Sequence, residues 1–176
     1  MPKHVQVIFY HVLGGFIARY GFIDSLVASM CQILFENMGG HPDFVSAPQR
    51  FTKRREFILK CYAVDPRLSP DEPALVNIFK TLDGVDDYRH FIVHGCHTDY
   101  FPEKEAHQFT RVDARDDRKG YQQISITVTH RVLTEVTQAG TQIVKGLVPI
   151  GDRLQKIGCG PPEGTPTAVG LPVISL

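Results

Sequence analysis

Apolar residues at positions 23, 26, 27, 30, 33 and 34 recur at helical spacing within "FIARYGFIDSLVASMCQILFENM", Phe16 to Met38. An apolar stripe this long has to be buried against other elements, so it predicts a principal core helix and a fold built round it. "GGHPDFVSAP" then breaks the pattern with Gly39, Gly40 and two prolines. The next segment, "QRFTKRREFILKCYAV", places Phe51, Ile58, Leu59 and Tyr62 inward and predicts a second helix after Pro48. Its other side is basic, with Arg50, Lys53, Arg54 and Arg55. Ser69 is a candidate cap for a third helix, with Pro70 at its first position and Asp71 and Glu72 favouring the dipole. That helix carries Leu75, Ile78, Phe79 and Leu82, pauses at Gly84 and resumes to Gly95, a natural helix stop.

The period then changes. "HQFTRVDARDDRKGYQQISITVT" has a polar turn, Asp116 to Gly120, between two extended stretches. Ile124, Ile126 and Val128 alternate with Ser125, Thr127 and Thr129, which predicts a β-hairpin with one buried face. Thr129 caps a last helix with Val132, Val136, Ile143 and Leu147 at helical spacing and a kink at Pro149. The expected architecture is mainly α, a helical bundle over residues 1–157 with the hairpin inserted before its last helix. The segment 158–176, rich in glycine and proline, has no period and reads as a flexible tail.

Lys plus Arg and Asp plus Glu both number 19, so the net charge is zero and any polyanion must be met by a local patch. No stretch reaches the roughly 20 uninterrupted apolar residues of a membrane span, and the start, "MPKHVQVIFYHVLGG", shows no cleavage site. The four cysteines, Cys31, Cys61, Cys96 and Cys159, are scattered without a CxxC pair. That favours reduced thiols, with Cys96 a small buried residue, and a cytoplasmic protein without a membrane partner.

Three histidines, an arginine and a cysteine crowd into "YRHFIVHGCH", residues 88 to 97. On a helix His90 and His94 lie about 40° apart, joined by Asp87, while Tyr88, Phe91 and Ile92 form the buried side. Arg89 is about 140° away from His94, but its long side chain can wrap round the helix. Three readings compete. Zinc would suit the i, i+4 histidines, but no Glu sits beside His90 as base, the third ligand must come from elsewhere, and four ligands in eight residues would crowd. Hydrogen-bonded histidines at a helix end are the bland reading. The third takes the pattern whole.

Arg89-His90-Phe91-Ile92-Val93-His94-Gly95 resembles the R-x4-6-H signature of the HEPN superfamily, small helical bundles that are often RNA-cleaving toxins or defence proteins. The second position there is commonly Asn, Asp or His, so His90 fits. A long first helix, the Arg…His-Gly helix and a final helix match the general layout over residues 16 to 157; only the seven-residue motif is specific. The resemblance implies a homodimer in which two motifs face one cleft. It implies a metal-independent endoribonuclease without cofactor, with Arg89 and His94 catalytic and His90 polarising or orienting. Metal-free RNA cleavage needs a base for the 2′-OH proton, an acid for the leaving 5′-oxygen and a cation on the phosphorane. Histidine suits either proton role near neutral pH, and arginine grips phosphate with a planar fork. Arg54 and Arg55 are candidate RNA guides on the basic side of the second helix. An antitoxin or regulatory protein is a further expected partner. Asp24 matches a place where family members often carry an acid and is a candidate support for Arg89.

Asp83, Asp86 and Asp87 precede the motif and would repel an RNA backbone unless paired. They favour the alternative, a non-catalytic dimeric scaffold or an RNA- or nucleotide-binding module. His4, His11, His41, His107 and His130 show no partnered spacing, and Cys96 and His97 fall past the helix stop as bystanders.

Overall fold

A computed structural model describes residues 3–114 and 121–159. Four helices, α1 (Lys3–Asn37), α2 (Phe51–Val64), α3 (Glu72–His94) and α4 (His130–Gly158), accompany three strands, β1 (Cys96–Phe101), β2 (Ala106–Ala114) and β3 (Tyr121–Thr129). Single 3-10 turns precede α3 and join β1 to β2. The mainly helical architecture with a hairpin before the last helix is as the sequence predicts.

The periodic stripe does form the centre. Phe9 and, seven residues on, Phe16, Tyr20, Ile23, Val27, Met30 and Leu34 of α1 are buried, the last six at three- and four-residue spacing, chiefly against α4. The helix begins near residue 3, well before Phe16. Helical Gly14 and Gly15 each cost about 1 kcal/mol, and burying Phe9 and Phe16 at about 1.5–3 kcal/mol apiece outweighs them. Over Val7–Asn37 this helix has the length and apolar composition to cross a membrane; in this structure its inner stripe is the protein's own core.

In α2, Ile58 and Tyr62 point inward as expected, joined by Phe57 and Cys61. Ser69 does not cap α3: its hydroxyl donates to the Pro66 carbonyl, and the α-helix starts three residues later at Glu72. Nor does α3 pause at Gly84; it runs unbroken to His94, because Leu82, Val85 and Ile92 keep one face buried through the glycine. Helices α3 and α4 pack closely where Gly146 faces the Ile78 side chain, 2.7 Å from where a Cβ would stand. Helix α4 buries Leu133, Ile143, Leu147, Ile150 and Leu154 and includes Pro149 within its span.

Thr129 caps α4 as expected: its Oγ1 accepts the Val132 N–H at 3.1 Å. Thr129→Ala is expected to lower unfolding free energy by about 1 kcal/mol and Thr129→Ser by much less. Urea unfolding checks this, and equal stability of the two variants would remove the cap from the account.

The strands form one antiparallel sheet in the order β1-β2-β3. Strands β2 and β3 are the expected hairpin, in register from Ala106 opposite Thr129 to Ala114 opposite Tyr121; the turn 116–120 lies outside the described residues. His107, Phe109 and Val128 on the inner face are buried. Strand β1 is an addition to the expected fold. It pairs along β2 with an irregularity between His97 and Asp99, and Thr98, Thr110 and Ser125 link their hydroxyls across the three strands. Helix α4 reaches Gly158 with Cys159 as its C-cap. Residues 160–176 lie outside the described residues.

Candidate active site

The seven-residue motif closes α3. His94 is the last helical residue, and the Gly95 N–H donates to the Phe91 carbonyl at 2.8 Å. Gly95 is extended, so its φ does not demand glycine; the space does. A Cβ there would stand 2.3 Å from the Phe91 carbonyl oxygen and 3.1 Å from that of Thr110 on β2. The His-Gly pair is therefore the point where α3 ends hard against the sheet. Gly95→Ala is expected to cost about 1–3 kcal/mol, because both obstacles are backbone atoms. Thermal unfolding measures it, and a variant as stable as the wild type would contradict the close approach.

Arg89 does wrap round the helix. Its Nη1 lies 3.2 Å from His94 Nε2, and the His90 and His94 rings meet edge to face with centroids 4.9 Å apart. A guanidinium can only donate, so His94 Nε2 is the acceptor and presents a lone pair, the basic form of the ring. His90 and His94 are exposed and Arg89 is half-buried. The guanidinium sits over the Tyr20 ring at 5.1 Å, a contact that orients it. The Tyr20 hydroxyl in turn donates to the Asp86 carboxylate. Burial, and then that hydrogen bond, hold the phenol neutral far above its ordinary pKa.

The acids before the motif are mostly occupied elsewhere. Asp83 is paired with Arg55 at 2.5 Å and Asp86 accepts from Tyr20. Asp87 is exposed and lines a cleft of about 650 Å3 between α3 and β3 with Tyr88 and Phe91. Arg54, Arg55, Arg67, Arg111, Arg131 and Arg153 all form ion pairs with carboxylates. Among the described residues Arg89 forms none, nor do Arg19, which reaches the Thr137 carbonyl, and Arg50; of these three only Arg89 meets a histidine.

Other expected residues fall differently. Arg54 reaches Asp24 at 3.2 Å and Arg55 binds both Asp83 and the Phe79 carbonyl. Both are engaged as ties between helices, and Asp24 supports Arg54, not Arg89. Cys96 is exposed on β1, not buried, and all four cysteines are free thiols. His97 and His107, which spacing leaves unpartnered, meet across β1 and β2 with His107 Nδ1 3.0 Å from His97 Nε2. Tyr20 was missed too, since nothing in the α1 stripe marks one buried aromatic as the seat of an arginine. Among the described residues no three His, Cys, Asp or Glu side chains converge as metal ligands.

Compared with family models, with curated proteins and with solved structures, the chain finds no match. The functional reading therefore stands on the motif Arg89 to Gly95 and on its geometry.

Proposed function

We propose that the chain is a metal-independent endoribonuclease of HEPN type, working as a homodimer in which two Arg89/His94 pairs face one phosphate. The observation that carries this reading is the Arg89 guanidinium, free of any carboxylate among the described residues and held against the lone pair of His94. An arriving phosphate offers Arg89 a bidentate, charge-assisted partner better than a neutral imidazole. Drawing the guanidinium away releases His94 Nε2 to take the 2′-OH proton. The O2′–P bond forms as the P–O5′ bond breaks, and the 5′-oxygen takes a proton from the second copy's His94, which enters the step as the imidazolium and leaves it neutral. The products are a 2′,3′-cyclic phosphate and a 5′-hydroxyl. His90 packs on His94 and orients it.

A second copy also accounts for the outer face of α1, where Val7, Tyr10, Ile17 and Phe22 are 42–67 % exposed. The toxin or defence setting and an antitoxin partner come with the motif's resemblance. The exposed Asp87, without an ion pair among the described residues, favours a second reading: a non-catalytic dimeric scaffold or RNA-binding module. Incubating the purified protein with mixed RNA in EDTA, beside Arg89→Ala, separates them. Cleavage with cyclic-phosphate ends that disappears in the variant supports the nuclease. An inert wild type across several pH values supports the scaffold.

A further inference from the structure

The histidines do not stop at His94. His97 follows three residues later, within about 10 Å of chain, and contacts His107. The His107 ring is 2 % exposed and stacked on Phe9, centroids 3.6 Å apart and planes 18° from parallel. Beside this stack lies a cavity of about 200 Å3 lined by Ile8, Phe9, Glu105, His107 and His130. A cavity near 150 Å3 already admits a benzene ring, so one flat heterocycle fits.

Two features of the lining bear on its use. Among the described residues the buried His130 Nε2 has no hydrogen-bond partner, an arrangement that folding alone disfavours. Glu105 adopts left-handed backbone, φ 45° and ψ 45°, the only non-glycine with positive φ among the described residues. That conformation closes the 3-10 turn, the Glu105 N–H donating to the Pro102 carbonyl at 3.3 Å; glycine would be cheaper there, so a glutamate kept at a cavity wall points to a use for its side chain.

The chemistry of the wall selects its occupant. Ile8 and Phe9 supply an apolar surface for a ring. A carboxylate repels phosphate and accepts hydrogen bonds, so the ligand is a base edge and not a backbone group. Guanine is the RNA base whose Watson–Crick edge offers a carboxylate two adjacent N–H donors. Its O6 acceptor stands beside them for an imidazole N–H. We propose that this cavity is a base-recognition pocket that holds a guanine of the RNA; the position of its phosphate at Arg89 and His94 rests on the nuclease reading, while the base contacts do not.

Free guanosine tests it on the full chain, with adenosine and cytidine as comparators and the ring protons of His107 and His130 followed by NMR. Guanosine is expected to shift both rings saturably and to bind at least tenfold more tightly than the other two. Glu105→Gln is expected to weaken it at least tenfold, and His94→Ala to leave it unchanged. Glu105→Gly is expected to lose guanosine while unfolding at a higher temperature, which separates a lost contact from a lost fold. No saturable shift, equal affinity for all three nucleosides, or an undisturbed Glu105→Gln would overturn the pocket, whatever the cleavage assay shows. Guanosine binding in a protein that cuts no RNA would support the pocket and end the nuclease reading.

Discussion

His94→Ala is expected to slow RNA cleavage by roughly 10²–10⁴-fold, the contribution of one well-placed general acid or base. In the two-copy site the substitution removes base and acid together, so the loss should fall at the upper end of that range. It should appear in the single-turnover rate at saturating RNA more than in RNA affinity, because Arg89 still holds the phosphate. Stability should change by no more than about 0.5 kcal/mol, as for an exposed side chain. Arg89→Lys supplies the complementary test. It keeps the positive charge but loses the planar fork and the seat over Tyr20, so both rate and affinity should fall. Measured rates for His94→Ala within threefold of wild type would sink the catalytic assignment, even if the wild type cleaves.

Much of this site was legible because helical phasing is strong information. The stripe that sends Ile92 inward necessarily turns His90 and His94 outward, and an arginine's length lets Arg89 follow. Thr129, Ile126 and Val128 were legible for a similar reason: each satisfies a local rule of capping or alternation that the tertiary fold leaves in force. What stayed hidden depends on partners distant in sequence. Strand β1 reads CHTDYF with no buried face, its first four residues all exposed, so it carries no periodic signal and owes its form to pairing with β2. Arg54 and Arg55 read as candidate RNA guides on a basic helix face until Asp24 and Asp83 arrive from other helices. The extension of α1 back to Lys3 went unread because two adjacent glycines argue locally against a helix that Phe9 and Phe16 nonetheless require. His97 and His107 are ten residues apart and coupled only by the turn between their strands.

That same pair makes stability depend on pH in a defined window. Burial first, and then the neighbouring His97, push the His107 pKa down from 6.5 to about 4. The native state therefore refuses a proton that the unfolded chain accepts once pH drops below about 6.5. Stability from this group is complete above pH 6.5, declines as pH falls, and is fully lost near pH 4. A depression of that size corresponds to on the order of 3 kcal/mol. His97, with its Nε2 3.0 Å from His107 Nδ1, is the neighbour that opposes a charge on His107. Glu105 and His130 line the adjoining cavity, and Tyr10 and Tyr100 pack on the His107 ring. Carboxylates held low by cations, such as Asp43 by Lys60, Glu56 by Lys53 and Asp65 by Arg67, lose stability as pH falls through and below the ordinary carboxylate range. They do so equally in a His107→Phe variant, which keeps a flat ring against Phe9 but cannot be protonated. Urea unfolding at pH 7.5 and 4.5 should show the wild type losing on the order of 2–3 kcal/mol more than His107→Phe between the two. Equal losses would mean that His107 carries no part of the acid sensitivity and that its ring is reached by water in the native state.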